Sequence, residues 1–264
     1  MNYSVRAGGK RLRPLFMQEI CRLFTGEVQP AVVPFMAAIE MIHTSSLVHD
    51  DLPCMDDDMM RRGKASTWAE YGEDMGVLAG DALMIYAFEV AAKAFNEVSE
   101  AEDLKRVGRA IEILASKTGI YGMIGGQTVD VELSGGPIPK NKLDFIYRLK
   151  TGALIEASML IGAVLGGAAE EDCKIVESLA GKVGLAFQIQ DDILDVTSTE
   201  EQLGKPVLSD EKNHKTTYVT LAGLDQARID VAEISEKAVS LLHEIPGSNP
   251  FLENLIYMLI NREN

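Results

Sequence analysis

Apolar positions recur with the period of an α-helix through almost the whole chain. Arg13–Phe24 is a first amphipathic segment, followed by a turn at Gly26–Pro30. Ala31 to about Pro53 reads as a long apolar helix, with Pro34 tolerated in its first turn. Arg61–Tyr71 has no period and reads as loop. Gly72–Phe95 is helical again, and the polar stretch Asn96–Asp103 breaks it. Leu104–Lys117 and Ile120–Leu133 follow, then the loop Ser134–Pro139, then helices over Asn141–Leu165 and Asp172–Val196. A polar loop is expected over Thr197–Lys215, and shorter helices over Thr217–Leu224, Gln226–Glu244 and Pro250–Asn261. No segment sustains the alternation of a strand, so the expectation is an all-α fold without a sheet.

Composition points the same way. The chain has 264 residues, 47% of them hydrophobic but only 6% aromatic. Such a mix favours helix over sheet and can bury a substantial core, expected as a single domain over residues 1–264. The net charge of −15 excludes non-specific nucleic-acid binding, which needs a basic surface. Cys21, Cys54 and Cys173 are too widely spaced for a disulfide framework or a zinc site, so a reducing, cytoplasmic setting is expected. The long near-apolar stretch Ala157–Ala169 is too short to span a bilayer, and no integral membrane protein is expected.

Charge changes the picture at two places. Asp50-Asp51 with Asp56-Asp57-Asp58 ends one long apolar segment, and Asp191-Asp192 with Asp195 ends another. Carboxylates are seldom buried and repel each other when adjacent, so two clusters at the ends of apolar helices call for shared cations. Mg²⁺ suits this donor set, because it takes oxygen ligands and completes its shell with substrate phosphates. Asp191 and Asp195 are one helical turn apart on one face, and Asp192 lies 100° round. Negative charge there opposes the helix dipole, which argues against a merely solvated terminus. In the first cluster an ideal helix would align Asp50 with Asp57, but Pro53 bends or ends it, so spacing does not choose between Asp56 and Asp57.

Basic residues are scarce, which makes their grouping informative. Gly8-Gly9-Lys10-Arg11-Leu12-Arg13-Pro14 opens the first helix, where a helix N-terminus and arginine forks both favour phosphate. Arg61-Arg62 follows the first acidic cluster, Lys150-Thr151 lies mid-chain, and Lys205 and Lys215 follow the second cluster. With the acidic clusters they suggest two phosphate seats, one bridged by metal and one held directly by Lys and Arg. His49 beside Asp50 and Asp81 after Gly80 receive no role. Gly119, Gly122, Gly125 and Gly126, ahead of Gln127 and Asp130, suit close helix packing.

These motifs, in this order, closely resemble the trans-type isoprenyl diphosphate synthases. The resemblance runs from Gly8 to Arg262. It rests on Gly8–Pro14, on His43–Arg62 with its Asp-Asp-(four residues)-Asp pattern, on Lys150-Thr151-Gly152 and on Phe187–Asp195. Gly204-Lys205-Pro206 and Asn213–Tyr218 complete it. It implies a large antiparallel helical bundle around a central cavity, the isoprenoid synthase fold, as a homodimer. It implies head-to-tail condensation of isopentenyl diphosphate with dimethylallyl, geranyl or farnesyl diphosphate. Three Mg²⁺ would bridge the allylic diphosphate to Asp50, Asp56, Asp191 and Asp195, with Asp56 rather than Asp57 as the distal ligand and Asp51 counted in the metal set. Arg61, Lys150, Gln188, Lys205 and Lys215 would hold the allylic diphosphate. Lys10, Arg13, His43 and Arg62 would hold isopentenyl diphosphate. Thr151 and Gln188 would stabilise the allylic cation, and Asp192 belongs to the catalytic set.

In that family a bulky side chain five residues before the first aspartate often floors the cavity. Here the position is Ser45, followed by Ser46. Two small residues leave room, and each further buried CH₂ contributes about 0.8 kcal/mol. Geranylgeranyl diphosphate is therefore the expected product, with farnesyl diphosphate the alternative if Met84 or Phe88 supplies the floor. Three positions depart from the family pattern: the start only seven residues before Gly8, where relatives usually carry a further helix, Leu208 in place of a glycine, and Trp68 in place of a histidine. A metal-dependent phosphohydrolase would use His43, His49 and Asp50 but leave Gly8–Pro14 and Asp191–Asp195 unexplained. A non-catalytic subunit would have lost an aspartate motif, and both are intact. A terpene cyclase would share the fold but usually has a different second metal motif.

Overall fold

The computed structural model describes residues 1–198 and 216–260. A short helix α1 (Asn2–Val5) precedes α2 (Leu12–Thr25) and α3 (Val32–Asp50). After a two-stranded hairpin, β1 (Met60–Arg61) and β2 (Lys64–Ala65), come α4 (Thr67–Tyr71) and α5 (Glu73–Ala92), which tightens into a 3₁₀ turn at Lys93–Glu97. Next are α6 (Ala101–Thr118), α7 (Met123–Leu133) and α8 (Lys140–Ile146), which runs through a π-helical turn, Tyr147–Gly152, into α9 (Ala153–Leu165). The longest element, α10 (Glu170–Thr197), precedes α11 (Tyr218–Ala222), α12 (Leu224–Glu244) and α13 (Pro250–Ile260).

The core explains the arrangement. α9 is buried along nearly its whole length and forms a central post, packed by α2, α3, α6 and α10. A helix apolar on every side has to be surrounded in this way. α3 packs along α5, and α10 along α12. Phe16, Phe35, Ile39, Ile42, Leu114, Leu154, Met159 and Leu179 are fully buried where these helices meet. Two helical stretches, Val32–Asp50 and Glu73–Glu97, are long and apolar enough to cross a bilayer by length and composition. The first contributes Phe35, Ile39 and Ile42 to the core. The second turns Leu83, Ala87 and Ala91 inward and leaves Leu78, Ile85 and Tyr86 on the outside.

The all-α expectation holds for the helices, with three local differences. Arg61–Tyr71 is ordered rather than loop: it contains a hairpin and the short α4. The hairpin pairs Met60 with Ala65 and Arg61 with Lys64 around Arg62-Gly63. Both turn residues have positive φ, 52° and 75°, as a tight two-residue hairpin turn requires. Strands of two residues are too short to show alternation, so the period of the sequence does not reveal them. Ser66 caps α4, accepting from the Ala69 N–H at 3.4 Å. The helix expected over Asn141–Leu165 is interrupted by the π turn. Thr217 caps α11 in a reciprocal box with Thr220.

Candidate active site

A cavity of about 1100 Å³ opens where the C-terminal end of α3, the hairpin, α5, α7, the π turn and α10 converge. Asp50, the last residue of α3, stands on its wall. Beyond it the chain folds back on itself. The N–H of Asp56 donates to the Asp50 carbonyl at 2.9 Å, that of Asp57 to the Leu52 carbonyl at 3.1 Å and that of Asp58 to the Asp51 carbonyl at 3.1 Å. The fold-back puts Asp56 on the cavity wall with Asp50, while Asp57, at φ 54°, is exposed and off it. Trp68 holds the turn closed, its indole N–H donating to the Asp58 carbonyl at 3.0 Å. Asp191 on α10 lines the same cavity.

Three more carboxylates of the two clusters are turned away from it. Asp51, only 2% exposed, accepts from Arg61 through Nε at 2.7 Å and also through Nη2. Arg61 spans to Asp58 as well, at 3.0 Å. Asp192 and Asp195 are buried, and the cavity lining does not include them. Asp192 accepts from the Tyr147 hydroxyl at 2.5 Å, the Tyr218 N–H at 2.8 Å and the Gln188 amide at 3.2 Å. Asp51, Asp192 and Asp195 thus sit behind the wall, and Asp50, Asp56, Asp58 and Asp191 on it.

Cations occupy the same cavity in two groups. Lys150 and Thr151 reach it from the π turn. Lys150 is held at 2.6 Å by Asp130, and Thr151 donates to Gln188 at 2.8 Å. Gln127 donates to Asp50 at 2.7 Å. The second group is Arg13, His43, Arg61 and Arg62. Arg62 is held by its bond to the Gly8 carbonyl, and Arg11 by Glu40 at 2.5 Å and the Val5 carbonyl at 2.6 Å. Burial brings the Arg13 guanidinium down to about 10, with Glu40 and Asp191 working against the fall. It remains charged near neutrality, yet its Nε is buried without a hydrogen-bond partner. Burial, then Arg13, Arg62, Arg11 and Arg61, hold the His43 imidazole well below its ordinary value. A buried unsatisfied donor among converging arginines is a seat for an anion.

Burial also pushes the Asp50 carboxyl up to about 6, with Asp56 and Asp51 adding to the rise and Lys150 and Arg61 opposing it. Among the described residues no three His, Cys, Asp or Glu side chains converge as a ready-made metal cage. Asp50, Asp56 and Asp191 offer oxygens from two sides of one cavity, and Mg²⁺ usually takes one or two carboxylates plus substrate phosphates.

The remaining expected site residues fall on and off the cavity wall. Ser46 is on it, its hydroxyl bonded to the His43 carbonyl at 2.9 Å. Ser45 is fully buried away from it, bonded to the Ile42 carbonyl at 2.9 Å. Lys10 is exposed and does not line the cavity. Lys205, Lys215 and Leu208 lie outside the described residues. His49 lines the cavity with its Nε2 3.2 Å from the Val77 carbonyl and 3.5 Å from Asp81. Met84 also lines it, with Met123, Ile124, Leu154 and Phe187 completing an apolar wall. Roles for Gln127, Asp130 and Tyr147 are not apparent in the sequence. The small-residue run before Gln127 is the available signal: a Cβ on Gly126 would stand 2.3 Å from the Lys150 nitrogen, so α7 must carry its polar groups right against the π turn.

Comparisons with known proteins bear on this geometry. A family model described as polyprenyl synthetase matches residues 1–243. The chain is 43% identical over 245 residues to the chloroplastic geranylgeranyl pyrophosphate synthase of Catharanthus roseus, covering 92% of this chain and 67% of that one. It is 44% identical over 234 residues to the farnesyl diphosphate synthase of Geobacillus stearothermophilus, covering 88% and 77% respectively. The chain spans about two thirds of the length of the plant relatives it matches. Among solved structures, a geranyltransferase from Helicobacter pylori complexed with magnesium and isoprenyl diphosphate superposes with a TM-score of 0.84 at 34% identity, covering 98% of this chain and 85% of that one.

Proposed function

The chain belongs to the polyprenyl synthetase family, and on that premise we propose that it condenses isopentenyl diphosphate head to tail with allylic diphosphates. The observation that carries the reading is one cavity with an acidic seat at Asp50, Asp56 and Asp191, a cationic seat at Arg13 and Arg62 with the neutral His43 beside them, and an apolar wall.

In this reading the allylic diphosphate lies against Asp50, Asp56 and Asp191, with Lys150 and Arg61 beside it. Asp50, Asp56 and Asp191 would hold Mg²⁺, which would supply positive charge to stabilise a leaving diphosphate. Arg13, His43 and Arg62 take the diphosphate of isopentenyl diphosphate, and the buried Arg13 Nε gains the partner it lacks. The allylic C–O bond breaks with its electron pair leaving on diphosphate. The π-bond of isopentenyl diphosphate then attacks the allylic cation through its terminal carbon, leaving a tertiary cation, and a C–H proton from the carbon between that centre and the diphosphate-bearing carbon is lost to the released diphosphate. Thr151 and Gln188 present oxygen dipoles towards the cation, while Leu154, Phe187 and Met84 exclude water from it. No side-chain nucleophile is required.

For the product we propose geranylgeranyl diphosphate. Ser46 puts a small side chain on the α3 wall of the cavity that Met84 also lines, and a relative named as a geranylgeranyl synthase supports the choice. Ser46→Phe would place a ring on that wall, and the products should shorten towards farnesyl diphosphate; an unchanged spectrum would remove Ser46 as the gate. We further propose a homodimer and a cytoplasmic setting. The outward face of α5, with Leu78, Ile85 and Tyr86, and the exposed Ile120 and Tyr121 offer apolar surface for a second copy. Three thiols without a disulfide among them fit a reducing compartment.

The deciding assay incubates the protein with isopentenyl diphosphate and each of dimethylallyl, geranyl and farnesyl diphosphate, with and without Mg²⁺, and sizes the products by chromatography. Mg²⁺-dependent elongation is expected. Its absence with all three allylic substrates would sink the proposal.

A further inference from the structure

Asp191 and Asp192 are neighbours that do different work. Asp191 faces the cavity, whereas Asp192 is 4% exposed and bonded to donors from three separate elements. These are the Tyr147 hydroxyl, the Tyr218 backbone N–H and the Gln188 side-chain amide. The Tyr218 N–H also reaches the Tyr147 oxygen at 3.1 Å, closing a three-membered ring of bonds. A buried carboxylate needs such partners, and charge-assisted bonds are the stronger kind.

Two of these partners lead to the site. Tyr147 begins the π turn that carries Lys150 and Thr151. An extra residue in one turn rotates the residues downstream of it by about 100° relative to an unbroken α-helix, and such turns concentrate at functional sites. Backbones crowd this turn from two sides. A Cβ on Gly126 would meet the Lys150 nitrogen at 2.3 Å, and one on Gly184 would meet the Gly152 Cα at 2.9 Å. Packing therefore fixes the flanks of the turn, and the Tyr147 hydroxyl ties its first residue to α10. Gln188 passes the tie on. Its amide N–H donates to Asp192 and its oxygen accepts from Thr151, so the carboxylate behind the wall orients two groups on the wall.

We propose that Tyr147 and Asp192 form a positioning clamp that sets the register of the π turn, and hence the aim of Lys150, Thr151 and Gln188, and that Asp192 is not a metal ligand. The inference rests on the proposed prenyl transfer for its kinetic arm only; its structural arm does not.

Hydrogen–deuterium exchange on the metal-free protein tests the structural arm. Tyr147→Phe should speed exchange of the Tyr218 amide by about tenfold or more, the loss expected for one bond within a charge-assisted network. Exchange over Tyr147–Gly152 should rise with it. In the kinetic arm the variant should raise KM for the allylic diphosphate and lower kcat, with kcat/KM down about tenfold or more, while KM for isopentenyl diphosphate stays within about twofold. A simple loss of stability would not separate the two substrates. Unchanged exchange at Tyr218, or equal effects on both substrates, overturns the clamp. Asp192→Asn addresses the metal. Its half-activating Mg²⁺ concentration should stay within about twofold of the parent, and a rise of about tenfold or more, the scale of a disrupted metal shell, overturns the assignment. If Tyr147→Phe does not fold, Tyr218 exchange in Asp192→Asn decides the structural arm in the same way. If the parent protein elongates no substrate, the exchange result still stands on its own.

Discussion

Replacing Asp50 by Asn should make the metal-free protein more stable while removing its activity. Asp50 is charged at neutral pH in a place that disfavours charge: burial is the first cause of its raised pKa, and the carboxylates of Asp56 and Asp51 add to it. The rise from 3.8 to about 6 amounts to roughly 3 kcal/mol at about 1.36 kcal/mol per unit. Proton counting gives the sign. Between those two values the folded state holds the proton that the unfolded state has released, so stability falls as pH rises through the window. Above about pH 7 the full cost is present, and below about pH 4 it has gone. Asparagine carries no charge and keeps an oxygen to accept the 2.7 Å bond from Gln127. Melting in EDTA across about pH 4 to 8 should show the variant ahead by about 2–3 kcal/mol, or about 5–10 °C, at the alkaline end, with the gap closing towards the acid end. Prenyl transfer should fall about 10²–10³-fold, the scale of one lost preorganised electrostatic contact. A variant that melts no higher than the parent at about pH 8, or a gap that persists at about pH 4, would refute the claim that an ionised Asp50 is destabilising. In the proposed reading function and stability conflict at this residue, since the carboxylate that would hold the cation costs stability without it.

Two further substitutions test the packing around that site. Gly126→Ala puts a methyl 2.3 Å from the Lys150 nitrogen and 2.8 Å from the Leu149 carbonyl carbon; urea denaturation should show a loss of about 1–3 kcal/mol, with elongation reduced beyond what stability explains, because α7 can no longer seat the π turn. Lys117→Met removes the partner that sits 2.6 Å from buried Glu156 and 2.8 Å from Glu177, and denaturation should report a loss of about 3 kcal/mol. Adding Glu156→Gln should restore about half or more of that loss; no recovery would mean that an unpaired Glu156 is not the cause.

The helices are legible because burial against α9 demands apolar residues at helical period, and a pattern of that kind survives in a single sequence. The hairpin is not, since two residues per strand cannot show an alternation and the Arg62-Gly63 turn carries its signal in φ rather than in polarity. The π turn is hidden for a different reason. Asn141–Leu165 keeps an apolar period throughout, and the extra residue is imposed by the seats at Gly126 and Gly184, which belong to other helices.

At the site, legibility tracks helix regularity. Asp191 and Asp192 lie within an unbroken α10, so a 100° step separates a residue on the wall from one behind it. Asp56 and Asp57 lie beyond the end of α3, where the backbone returns to bond the carbonyls of Asp50 and Leu52. No period applies there, and only family likeness prefers Asp56. Ser45 and Ser46 follow the same rule: Ser46 is four residues before Asp50 on α3 and shares its face towards the cavity, while Ser45 is about 140° round and buried. A sequence holds well the relative angle between residues of one helix. It holds poorly which neighbour that helix faces, and the site residues whose roles it conceals, Gln127, Asp130 and Tyr147, all act across such a junction.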